Sequence, residues 1–104
     1  MKNITNEEFE NLVERFAEEN WDNIDRYIEA GQMISHDYID EGGRDVIYRR
    51  VALKCVEWLV ENTDDPSNFD LISPTFIIEH SYDVDYVRFK MFVGEEKLVD
   101  RILY

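Results

Sequence analysis

Residues 44–62 read RDVIYRRVALKCVEWLVEN, and we expect the rest of the chain to fold around this segment. It is the longest apolar-rich segment of the chain and contains neither glycine nor proline. On a helix, four of its polar residues would share one narrow stripe: Arg50, Lys54, Glu57 and Glu61. A helix that is apolar around most of its circumference is covered by neighbours on several sides. The pattern therefore predicts a buried central helix at about 44–62, onto which the rest of the chain packs.

The segment before it has the pattern of an amphipathic helix at about 6–30. Thr5 and Glu8 fit a capping box at its start. Apolar residues then recur at helical spacing: Phe9, Leu12, Val13, Phe16, Trp21, Ile24 and Ile28. Either one helix runs through, or it breaks at Asn20, which would cap the second half; we favour a break or kink. A polar connection follows, in which Gly42-Gly43 is expected to end a short helical turn at 35–41.

The segment after the central helix has strand patterns. Residues 75–81, TFIIEHS, are β-rich, and residues 86–93, YVRFKMFV, alternate between apolar and polar positions, so we expect a hairpin. The tail at 95–104 fits either a helix or a third strand, and we favour the strand because a lone hairpin is marginal. Helices followed by strands predict one α+β domain, 1–104, with the helices packed on a small antiparallel sheet of two or three strands.

The charge is strongly negative and unevenly distributed. The net charge is −13; residues 1–43 carry 12 acidic and 3 basic groups, whereas residues 44–62 carry 3 and 4. Direct binding to nucleic acid or to an anionic membrane is therefore not expected, because both depend on Lys and Arg. A basic protein partner would be attracted, with an affinity that falls as salt rises.

The single cysteine, Cys55, lies in the central helix, so no intrachain disulfide can form. No apolar run reaches the roughly 18–20 residues of a membrane span, and the first residues lack the apolar stretch of a signal peptide. These features predict a cytoplasmic protein.

The residues offer no pattern typical of catalysis or of a metal site. His36 and His80 belong to no spacing that ligates zinc, and Cys55 lies in the predicted core. No glycine-rich phosphate loop is present. We therefore expect a protein that is not an enzyme and holds no metal or cofactor.

The most specific feature is an acidic line on the first helical region. Its members are separated by close to whole numbers of helical turns: Glu7, Glu14, Glu18, Asp22, Asp25 and Glu29. Over 22 residues the line would extend roughly 33 Å. A second acidic patch is predicted in the loop that follows, at Asp37, Asp40 and Glu41.

Two hypotheses for function follow. In the first, both acidic groups of residues bind a basic partner, such as a nuclease or defence protein, by imitating the phosphates of a nucleic acid. Small size and acidity resemble those of phage-encoded inhibitors and immunity proteins as a general class. In the second, the chain is a regulatory or assembly module, with a homodimer among the options, that binds through aromatic residues. The candidates are Trp21, Tyr27, Tyr38, Tyr48, Tyr82 and Tyr86.

Overall fold

Two helices pack on a three-stranded antiparallel sheet, which confirms the predicted α+β class. A computed structural model describes residues 4–35, 41–81 and 86–102. In these residues the elements are α1 (Asn6–Ser35), α2 (Glu41–Asn62), a short 3₁₀ helix (Phe69–Leu71), β1 (Pro74–Ser81), β2 (Tyr86–Val93) and β3 (Glu96–Ile102). None of the described helices is long and apolar enough to cross a membrane.

Helix α1 is continuous from Asn6 to Ser35, so the predicted break at Asn20 was wrong. The Asn20 side chain does not cap a new helix; its Nδ2 donates to the carbonyl oxygen of Phe16, one turn earlier, at 3.0 Å. Phe16 and Ile24, on either side of it, are both buried in the same core. The predicted cap at the start is present, because the backbone N–H of Glu8 donates to Thr5 Oγ1 at 3.1 Å.

Helix α2 is the central element of the core, as predicted. It supplies eight of the sixteen buried apolar side chains: Ile47, Tyr48, Val51, Ala52, Cys55, Val56, Leu59 and Val60. The helix begins at Glu41, three residues before the predicted start, so Gly42 and Gly43 lie in its first turn instead of ending an earlier one.

The strands form a sheet of order β1-β2-β3, and the favoured third strand is confirmed. Phe89 and Met91 lie on its buried face, and the helices cover that face, with α1 contacting β1 and β2 and α2 contacting β3. The opposite face carries ion pairs across the strands. Lys90 Nζ lies 2.9 Å from Glu79 Oε1, and Arg88 Nε lies 3.1 Å from Asp100 Oδ1.

A turn and a bulge set the register of β3. Gly94, between β2 and β3, has a φ of 61°, a conformation that glycine adopts without steric cost. Further along, Met91 pairs with Val99 and Phe92 pairs with Lys97, which leaves Leu98 as an extra, unpaired residue. The bulge lets two consecutive residues, Leu98 and Val99, both pack on the core.

Candidate partner-binding surface

The acidic line predicted on α1 is exposed along most of its length. Five of its six members are solvent-exposed: Glu7, Glu14, Glu18, Asp22 and Glu29. Glu8, Glu10 and Glu19, which flank the line, are exposed as well. Since α1 is unbroken over this range, these carboxylates share one rigid element.

Few of these eight carboxylates have a cation near them. Among the described residues, the ion pairs are Glu19 with Arg15 and Glu29 with Arg44, both at 4.0 Å. The other six side chains have no ion pair in that part of the chain: Glu7, Glu8, Glu10, Glu14, Glu18 and Asp22. We call these six the unpaired acidic face. All of them lie within the first 17 of the 30 residues of α1.

Asp25 does not belong to this face, although its spacing predicted that it would. Its side chain is 26% exposed and binds groups of α2. Arg44 Nη1 donates to Asp25 Oδ1 at 2.8 Å, and the Tyr48 hydroxyl donates to the same oxygen. Asp25 therefore ties α1 to α2, and a partner would have to break these bonds to use it.

The buried side of α1 shifts gradually around the helix axis along its length, and this shift explains why Asp25 contacts α2. The core residues Leu12, Phe16, Ile24 and Ile28 lie four residues apart or at multiples of four. Four residues turn a helix by about 400°, so each step moves the buried line roughly 40° further around the axis. By the last turns the line has moved towards the acidic side, which brings Asp25 against α2.

The aromatic residues of the second hypothesis whose side chains are described differ in exposure: one is buried, one is half-buried and one is exposed. Tyr48 is 1% exposed, and burial, followed by its hydrogen bond to Asp25, raises its pKa well above the usual range. Trp21 is 43% exposed, but its ring lies over the Tyr48 ring with the centroids 3.6 Å apart. Tyr27 is half-buried against Phe76. Tyr38, Tyr82 and the side chain of Tyr86 lie outside the described residues.

The second acidic patch is only partly within the described chain. Asp37 and Asp40 lie outside the described residues. Glu41 is the first residue of α2 and not part of a loop, which corrects its predicted place; its side chain is not among those described. The structure therefore does not join this patch to the unpaired acidic face.

A groove that was not predicted from the sequence lies at the junction of α1, α2 and β3. It has a volume of about 610 Å³ and is lined by apolar side chains and by Arg49, Arg50 and Arg101. The signal was present in the sequence. Val46, Arg49, Arg50 and Leu53 have the spacing i, i+3, i+4, i+7, which places two arginines beside an apolar line on one helix face.

The described residues offer little for catalysis. No group of three or more His, Cys, Asp or Glu among them could hold a metal ion. Cys55 is fully buried, its Sγ lies 3.6 Å from Met91 Sδ, and burial raises its pKa to about 12. A thiol in this state does not form the reactive thiolate at neutral pH.

Comparison of the chain with protein-family models, with curated proteins and with solved structures found no match.

Proposed function

We propose that this protein is a small, non-enzymatic, cytoplasmic inhibitor that binds a basic protein partner through the unpaired acidic face of α1. The partner's surface would be a cationic site that otherwise binds nucleic acid, as in a nuclease or defence protein. One observation carries the proposal: six exposed carboxylates on one helix have no cation of the described chain beside them. Lys and Arg of a partner could pair with them without displacing an internal bond.

The spacing of the charges favours a protein that blocks one cationic site of its partner over a protein that imitates a whole nucleic-acid duplex. Charges four residues apart on a helix lie about 6 Å apart, whereas duplex DNA carries one charge per roughly 1.7 Å of axis. The unpaired acidic face extends from Glu7 to Asp22, about 22 Å along the helix. That length corresponds to a few phosphates of a single strand, and we propose that it fills one cationic groove.

The proposal is tested by reversing charges on this face. The tagged protein is used to capture partners from a lysate of its native host, and bound proteins are eluted with increasing salt. A triple variant, Glu14→Lys, Glu18→Lys and Asp22→Lys, should lose the partner, because all three exposed side chains would then repel a basic surface. We expect the unmodified protein to release a basic nucleic-acid-binding protein at moderate salt.

A second triple variant controls for total charge. Glu61, Glu95 and Glu96 are exposed and lie outside α1, and their change to Lys alters the net charge by the same amount. This variant should keep the partner. Retention of the partner by the α1 variant, or its loss from both variants alike, would refute binding through this face.

A further inference from the structure

The described Lys and Arg residues of this acidic chain fall into two groups, those with a carboxylate beside them and those without one. Most described Lys and Arg residues have a carboxylate within 4.0 Å, and four do not: Arg26, Arg49, Arg50 and Arg101. Three of these four line the same groove. A guanidinium group without a carboxylate is an effective binder of carboxylate or phosphate, because its donors match two oxygens at once.

The groove also has an apolar floor to which three elements contribute. The floor consists of Phe9 and Val13 from α1, Val46 and Leu53 from α2, and Leu98 and Val99 from β3. Val46 is 44% exposed, and Leu53, Leu98 and the two α1 residues are only partly buried, so apolar surface remains open to a ligand. The bulge in β3 contributes directly, since it directs Leu98 towards the core side of the sheet.

Two carboxylates also line the groove, and they do not cancel its positive charge. Asp100 is engaged elsewhere: Lys97 Nζ lies 3.0 Å from Asp100 Oδ2, and Arg88 Nε lies 3.1 Å from Asp100 Oδ1. Glu10 belongs to the unpaired acidic face and has no cation within ion-pair distance in the described residues. Three arginines against this one unpaired carboxylate leave an excess of positive charge around an apolar floor.

We propose that this groove binds a small amphipathic carboxylate, with the head group on the arginines and an aliphatic tail along the floor. The volume of about 610 Å³ lies within the range of ligand pockets, roughly 300–1,000 Å³. Val46 and Leu53 are seven residues apart, so the α2 part of the floor is about 10 Å long. A tail of about that length fits it, and the arginines distinguish such an anion from an uncharged lipid. The groove meets the unpaired acidic face at Glu10, and its other lining residues lie outside that face.

Isothermal titration calorimetry with decanoate, below its micellar concentration, tests the site. We expect saturable binding, with octanoate weaker by about tenfold because each buried methylene adds roughly the same increment of free energy. Decanol has the same tail without the charge, and acetate has the charge without the tail. Both should bind at least about tenfold more weakly than decanoate if head and tail are each recognised.

Single substitutions locate the site. Arg50→Gln and Arg101→Gln should each weaken decanoate binding several-fold, whereas Arg26→Gln removes an unpaired arginine outside the groove and should change nothing. Val46→Asp places a charge on the floor at an exposed position, and should abolish binding while circular dichroism shows that the fold is retained. Absence of saturable decanoate binding, equal binding of decanol, or equal effects of the Arg50 and Arg26 substitutions would overturn the proposal.

Discussion

Cys55 shows how its surroundings set the behaviour of a single side chain. Its thiol packs in the core beside Met91, and burial raises its pKa from 9.0 to about 12. The folded protein therefore holds the Cys55 proton over a range of pH in which the unfolded chain releases it. In that range the unfolded state binds fewer protons, so it becomes more favourable as the pH rises.

This difference predicts a loss of stability in alkaline solution. The contribution of Cys55 is fully present below about pH 9 and is lost as the pH rises towards 12. Between these values it lowers the free energy of unfolding by up to about 1.4 kcal/mol per pH unit. Urea unfolding at pH 8, 9 and 10 measures this slope. A Cys55→Ala variant should be less stable at pH 8, because packing in the core is lost. Its free energy of unfolding should fall less steeply with pH, because the titrating thiol is absent. Equal slopes for the two proteins would contradict the prediction.

At the scale of elements, the contact between α1 and α2 separates two aspartates that the sequence pattern treats as equivalent. Asp25 bonds to Arg44 and Tyr48 of α2, whereas Asp22, one turn earlier, is exposed and has no ion pair among the described residues. Asp25→Asn should lower the free energy of unfolding by about 1–2 kcal/mol, because charged hydrogen bonds to partly buried groups are weakened. Asp22→Asn should stay within about 0.5 kcal/mol of the original.

Urea unfolding of the two variants at neutral pH makes the comparison. Both changes remove one negative charge from α1, so any general electrostatic effect is shared between them. Equal stability of the two variants would show that the bonds between Asp25 and α2 add nothing to the fold.

The sequence predicts these elements well where a local pattern is strong. The central helix, the hairpin and the cap at Thr5 follow from periodicity and turn residues that act within a few positions. The continuity of α1 does not follow from local patterns, because Asn20 fits a helix start as well as a helix interior. Helix α1 continues through Asn20 because Phe16 and Ile24 pack in the same core. This is a tertiary effect that the neighbouring sequence does not reveal.

The candidate surfaces are predicted less completely for a similar reason. Spacing correctly places Glu14, Glu18 and Asp22 on an exposed face, since that depends on helix geometry alone. It misplaces Asp25, because the position of α2 decides which side of α1 is covered. The groove forms only because β3 packs beside α2 in the folded chain. Leu98 lines it because of a bulge in β3, and the sequence around Leu98 has no clear pattern that predicts a bulge.

At the scale of the whole molecule, the net charge of −13 gives folding and binding opposite responses to salt. Glu10, Glu14, Glu18 and Asp22 form successive like-charge pairs four residues apart, each of which costs a helix roughly 0.2–0.5 kcal/mol. Salt screens this repulsion, so the free energy of unfolding should rise by about 1 kcal/mol between dilute buffer and roughly 0.5 M NaCl. Urea unfolding at the two salt concentrations measures it.

A single variant, Glu18→Lys, serves as the control. Glu18 repels both Glu14 and Asp22, so this one change turns two of the repulsive pairs into attractive ones and also reduces the net charge. The stability of the variant should rise less with salt than that of the original protein. A stability that falls with salt in the original protein would contradict the prediction and would mean that favourable ion pairs dominate.

The order of the elements has a consequence for the time course of folding. Each strand pairs with its neighbour in sequence, β1 with β2 and β2 with β3, and α1 packs against α2, the next helix along the chain. Forming most of these contacts therefore closes only short stretches of chain, and the loss of chain entropy on closing them is small. Chains in which neighbouring elements make most of the contacts cross a lower kinetic barrier than chains dominated by distant pairings. We expect newly made protein to reach its native state quickly, with little time spent exposing its sheet edges to other chains.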